Sequence, residues 1–271
     1  MAVTTGQASV LRGWLAIGKT ATRQGKVLHV KSQLPMSERN IVGIGGGGSS
    51  EEETRRLFTH VVGLAGKPSP RVCFVPTAVG DDADSVLRVY GLLPNGAVPS
   101  YLPFFPWPPE HLREFVLEHD VIFVSGGNTA NMLAIWRVHG FDWILREAWE
   151  AGIVLTGWSA GMICWFEAGV TDSFGPQLEG MHDGLGFLAG SACPHYDGDT
   201  KRRPAFQRAI SEGLPAGYAA DDGAGLHFSG LQLLGAVSSR PQARAYRVEL
   251  RAGAVVEEPI PTRFLGTESP R

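Results

Sequence analysis

Long hydrophobic runs are missing from this sequence: nowhere in its 271 residues does an apolar stretch approach the roughly 18–20 residues of a membrane-spanning helix. No membrane partner is therefore expected. Cysteine is scarce. Cys73, Cys164 and Cys193 are an odd number without CxxC spacing, which excludes a disulfide framework and a cysteine zinc site and suits a reducing, cytoplasmic setting. A basic surface is also lacking. The first forty residues hold six Lys/Arg and one acid, so the remainder of a chain with 24 basic and 27 acidic residues is net acidic by eight. Such a body does not carry the clustered cations of a nucleic-acid-binding protein. The glycine run Gly45–Gly48 has no lysine, and its spacing fits neither G-x-x-x-x-G-K-[ST] nor a clean G-x-G-x-x-G. It reads as close packing at the floor of a site rather than a phosphate cradle, and no metal or cofactor is expected.

What the chain does have is alternation. The apolar or β-branched runs "NIVGIGG", "RVCFVPTA", "AVPSYLPFF", "DVIFVSGG" and "GIVLTGW" alternate with stretches whose apolar residues recur at three and four. That pattern predicts a three-layer α/β/α sandwich with a mainly parallel sheet. Residues 40–271 are read as a single α/β domain. Residues 1–39 are read as a basic N-terminal extension, either disordered or preceding a true start at Met36. "LGFLAGSAC" is expected to be a strand and "TKRRPAFQRAISEG" a helix. "AGYAADDGAGLHF", "LQLLGAVSS", "ARAYRVELRAG" and "AVVEEPIP" read as short strands forming C-terminal antiparallel hairpins, with "TRFLGTESPR" as a frayed tail.

Three of these stretches, "GIGGGGS", "VSGGNT" and "TGWSAG", sit at strand C-termini, the edge of a parallel sheet where ligands gather. In "GWSAG", Gly157 and Gly161 permit a sharp strand-to-helix bend that exposes the Ser159 hydroxyl and sets the backbone N–H of Ala160 at a helix start. Gly126 and Gly127 let a second backbone donor approach, and Asn128 orients that loop or a substrate. A serine nucleophile needs a base. Of eight histidines, His195 in "CPHYDGD" follows a strand directly. His227 is the fallback and His182 lies on a loop.

"SGGNT", then "GWSAG" about thirty residues later, then "PHY" on an α/β pattern together resemble the peptidase E family of serine peptidases, aspartyl dipeptidases related to cyanophycinases. The likeness implies a fold similar to class I glutamine amidotransferases and a small peptide as substrate. It also implies Ser159 as nucleophile, His195 as base and the N–H groups of Gly127 and Ala160 as oxyanion donors. Its acid maps to Asp172 in "VTDS", with Glu179 and Glu167 as alternatives, Glu167 on a helix that carries it away from Ser159. An N-terminal aspartate would be read by Arg203 or Arg202, with Phe104, Phe105 and Trp107 walling the pocket. Two other readings share the fold: a cyanophycinase-like isopeptide hydrolase and an inactive binding protein. A glutamine amidotransferase is disfavoured because its nucleophile is cysteine. A homodimer is compatible with all of them.

Overall fold

A computed structural model describes residues 39–267; the basic extension lies outside the described residues except for Arg39, as does the end of the tail from 268. The first half alternates as its periodicity predicts. β1 (Asn40–Ile44) leads to α1 (Glu51–Gly63), β2 (Arg71–Val75), α2 (Ala83–Leu92), β3 (Val98–Tyr101), α3 (Leu112–Leu117) and β4 (Val121–Val124). Then follow α4 (Thr129–Val138), α5 (Phe141–Glu150) and β5 (Val154–Trp158). α1 is capped at its start: the Ser50 hydroxyl accepts from the Glu53 N–H at 3.2 Å, while the Glu53 carboxylate accepts from the Ser49 N–H at 2.7 Å. α4 and α5 divide at Gly140, whose φ of 65° is the left-handed conformation that ends a helix.

Beyond β5 come a single helical turn, α6 (Ala160–Ile163), and β6 (Phe166–Thr171), β7 (Glu179–Met181), β8 (Leu188–Cys193), α7 (Arg202–Ser211) and β9 (Gly217–Ala220). The chain closes with β10 (Ala224–Ser229), β11 (Gln232–Ser238), β12 (Ala245–Arg251), β13 (Ala254–Ile260) and β14 (Thr262–Phe264). The main sheet has eight strands in the order β14-β11-β10-β1-β5-β4-β2-β3, with β1, β5, β4, β2 and β3 parallel. Val42, Ile44, Phe74 and Phe123 face α1 and α2, where Phe58 stacks on Phe123 with centroids 4.5 Å apart. Ile41, Cys73, Ile122 and Leu155 face Met132, Trp136, Phe141 and Leu145 of α4 and α5. These are the expected three layers.

Two expectations change in the second half. The C-terminal strands do not all cap the main sheet: β12 and β13 join β9, β8, β6 and β7 in a second, six-stranded sheet covered by α7. The tail is not frayed over its first residues, because Thr262–Phe264 pair in parallel with Ala236–Ser238 and supply the main sheet's edge strand. Among the described residues no helix is long and apolar enough to cross a membrane.

Candidate active site

Three parallel strands of the main sheet deliver their ends to one place. Ser159 follows β5 with φ 56° and ψ −112°, a conformation costly for a residue with a side chain. The bend is held by its N–H donating to the Ile44 carbonyl at 3.0 Å, and its own carbonyl accepts from the N–H groups of Met162 and Ile163. Neither flanking glycine is replaceable. A Cβ on Gly157 would lie 2.6 Å from the Val124 carbonyl oxygen, and one on Gly161 only 2.4 Å from it. The half-buried serine is thus presented by an elbow, although the helix behind it is one turn long and not the extended helix expected.

After β4, Gly126 lies against the serine: a Cβ there would touch the Ser159 Cβ at 3.2 Å. Gly127 has a φ of 127°, with the Ala78 carbonyl where its side chain would be. Asn128 uses both ends of its amide within the fold. Its Oδ1 caps α4 by accepting from the Asn131 N–H at 2.9 Å, and its Nδ2 donates to the Ser173 carbonyl at 2.9 Å. It orients the loop.

His195 comes from the second sheet, two residues beyond β8, with a φ of 53°. Its N–H donates to the Gly45 carbonyl at 3.2 Å, so adjacent residues at the end of β1 anchor the serine and the histidine. The carboxylate that meets it is Asp222. Its Oδ1 lies 2.6 Å from His195 Nδ1. Asp222 sits between β9 and β10, where the sequence reads as one continuous strand. The pair lies against Gly46: a Cβ there would fall 1.9 Å from Asp222 Oδ1 and 2.7 Å from His195 Nδ1. On its other side, a Cβ on Gly198 would fall 2.2 Å from Asp222 Oδ2. Within the glycine run, Gly46 thus packs against the histidine and its acid, while Gly45 lies against the Ala220 and Asp221 carbonyls and Gly47 and Gly48 lie against Thr54 and Glu53 of α1.

The acids inferred from the resemblance lie elsewhere. Asp172, following β6, is mostly exposed and stands 3.6 Å from Arg202 Nη2. Glu179 is an exposed residue of β7. Glu167 is on a strand, not a helix, and its Oε2 accepts from the Gly190 N–H at 2.8 Å. His227, the fallback base, pairs its Nε2 with Asn40 Oδ1 at 2.9 Å and faces His60. Burial and the Arg263 charge hold it below the usual histidine range.

The arginines are corrected too. Arg202 is buried, donating to the Val170 carbonyl at 3.3 Å. Arg203 forks onto Glu257 and lies over the Tyr196 and Tyr246 rings at 5.1 and 5.2 Å. The Tyr196 hydroxyl donates to the same carboxylate. Arg202 is thus enclosed by the fold, whereas Arg203, paired with Glu257, keeps 49% of its side chain exposed. Of the aromatic wall, Phe104 is a core residue, while Phe105 and Trp107 are exposed. No group of three or more His, Cys, Asp or Glu side chains among the described residues is disposed to hold a metal.

An α/β sandwich with a strained serine on an elbow at its parallel edge, and a histidine–carboxylate pair anchored to the same strand end, has the parts of a serine hydrolase. The chain belongs to peptidase family S51, whose pattern matches residues 41–234. It is 49% identical over 231 residues to "Uncharacterized peptidase YgaJ" of Bacillus subtilis (strain 168), covering 84% of this chain and all of that one. It is 30% identical over 135 residues to "Peptidase E" of Shewanella amazonensis, covering 45% of this chain and 57% of that one. The crystal structure of a peptidase from an acI-B1 Actinobacterium superposes with a TM-score of 0.51 at 17% identity, over 80% of this chain and 96% of that one, a likeness of fold. The protein is a peptidase, and the family is of the serine type.

Proposed function

We propose that the protein hydrolyses short peptides as a dipeptidase-like exopeptidase through Ser159, His195 and Asp222. The observation that carries this reading is the 2.6 Å contact between His195 Nδ1 and Asp222 Oδ1, on a loop tied to the same end of β1 as the serine. With Nδ1 engaged, Nε2 is the nitrogen left to accept the serine proton. Ser159 Oγ attacks the scissile carbonyl carbon as His195 takes its proton. The oxyanion forms against the N–H groups of Gly127 and Ala160, and His195 then protonates the leaving amine. Water repeats the sequence on the acyl-enzyme. Ser159→Ala and His195→Ala should each lower kcat/KM by at least about four orders of magnitude with an unchanged melting curve. Parent-level hydrolysis by Ser159→Ala would end the reading.

A preference for an N-terminal aspartate would need a cation with free donors. Because Arg202 and Arg203 already serve Val170, Asp172 and Glu257, substrate choice in this proposal does not rest on them. Arg203→Gln should leave the kcat/KM ratio between Asp-X and Leu-X dipeptides unchanged within about twofold. A tenfold fall in that ratio, about 1.4 kcal/mol, would restore Arg203 as the reader of an acidic side chain.

A further inference from the structure

Asp222 lies in a short break between two strands, and its usefulness depends on where its backbone holds the carboxylate. Two charged side chains grip that backbone from both sides. The Asp222 N–H donates to Asp197 Oδ1 at 2.8 Å, and Arg240 Nε donates to the Asp222 carbonyl at 2.7 Å. The circle closes because Arg240 Nη2 pairs with Asp197 Oδ2. Asp197 is two residues from His195 on the same loop, whereas Arg240 follows β11 of the main sheet. One ring of hydrogen bonds therefore joins the base-bearing loop, the acid-bearing loop and the main sheet. The neighbouring residue makes room for it: Gly223 has a φ of 77°, and a Cβ there would fall 3.0 Å from Arg240 Cγ and Nε.

We propose that Asp197 and Arg240 are positioning residues for peptide hydrolysis, a clamp that sets the register of Asp222 against His195 Nδ1. The inference rests on the triad reading above. Planarity is what the clamp uses. Arg240 offers two donors in fixed relation, one for a backbone carbonyl and one for a carboxylate, and a lysine cannot reproduce that fork. The Asp197 carboxylate has two acceptors, one for the Asp222 N–H and one for the guanidinium. Neither side chain needs to touch substrate.

The test measures kcat and KM on one dipeptide for Arg240→Ala, Arg240→Lys and Asp197→Asn, each in the parent and in an Asp222→Ala background assayed at raised enzyme concentration. In the parent background Arg240→Ala should lower kcat roughly tenfold with KM held within twofold, and Arg240→Lys should recover only part of the loss. Asp197→Asn keeps an acceptor for the Asp222 N–H and should cost less; it serves if Arg240→Ala does not fold. In the Asp222→Ala background the same substitutions should change the residual kcat by less than twofold, since the clamped backbone then carries no carboxylate to position. Undiminished kcat in the parent background, or equal losses in both backgrounds, overturns the proposal. Ser159→Ala is the control. If it is inactive while Arg240→Ala is fully active, the clamp alone fails; if it is active, the triad reading fails and takes the clamp with it.

Discussion

At Gly46 one added carbon decides whether two side chains can meet. No positive φ demands glycine there; the demand comes from Asp222 Oδ1 and His195 Nδ1, which occupy the space of a Cβ. Gly46→Ala should therefore part the pair and lower kcat/KM at least about 100-fold, the loss that a misplacement near 1 Å produces. Gly63→Ala is the matched control. That glycine is the last residue of α1 with nothing within 4 Å of its Cβ position, so alanine should be neutral or stabilising by up to about 1 kcal/mol. Equal activity in the two variants would refute the packing argument. At this scale Ser159 and His195 were legible as candidates, because an elbow needs glycines at fixed spacing and a loop histidine directly after a strand is conspicuous. Asp222 was not. "AADDGAG" reads as a strand interior, and only the break at Asp221–Gly223, which comes from sheet pairing, turns an aspartate toward a histidine 27 residues earlier.

Among the elements, β6 shows why the sequence put Asp172 forward as the acid and the structure does not. Apolar residues follow the elbow without interruption, which suggests a helix continuing from Ser159. Yet the helix stops after one turn and Phe166–Thr171 become a strand, buried at every position except Glu167. That strand carries Asp172 into the second sheet, beside the start of α7. Its partner Arg202 is a buried cation whose donors meet the Val170 carbonyl at 3.3 Å and the Asp172 carboxylate at 3.6 Å. The two residues should therefore behave unequally. Asp172→Asn removes one end of a pair that is 58% exposed on the acid side, and should cost at most about 1 kcal/mol with full activity. Arg202→Ala loses packed methylenes and a hydrogen bond to a buried strand, and should cost about 2–3 kcal/mol. Urea denaturation and dipeptide kinetics on both variants check this. Loss of activity in Asp172→Asn without loss of stability would return Asp172 to the reaction. The alternating half of the fold was legible because helix and strand periods differ; β6, β7 and β14 were not, since their short apolar or polar runs become strands only through partners distant in sequence.

Over the whole molecule, the main sheet and the second sheet are knitted together along the edge that holds the site, and one buried acid there makes stability depend on pH. Asp221 is 4% exposed at the end of β9, with its N–H donating to the Arg244 carbonyl and its Oδ2 accepting from the Arg244 N–H at 2.8 Å. Burial, with Asp197 adding repulsion, pushes its carboxyl up to about 6, against the Arg244 hydrogen bond and the Arg240 charge. A carboxyl raised in the folded state favours folding while it is protonated. Its contribution is full below the ordinary range near 3.8 and is lost as pH rises through about 6, a swing on the order of 2–3 kcal/mol. His60 acts in the opposite sense: burial, aided by Arg263 and His227, holds it down to about 4, so the fold gains stability from it as pH rises from about 4 to 6.5. The two effects overlap between pH 4 and 6.5, and the parent's net curve hides both. Substitution separates them. Asp221→Asn keeps a carbonyl oxygen for the Arg244 N–H and removes the titration, so its stability advantage over the parent should grow between pH 4.5 and 7 and then level off. The measurement is denaturant unfolding of parent and variant at half-unit pH steps across that window. Curves that stay parallel throughout would show that Asp221 keeps an ordinary carboxylate affinity and that the junction of the two sheets tolerates its charge.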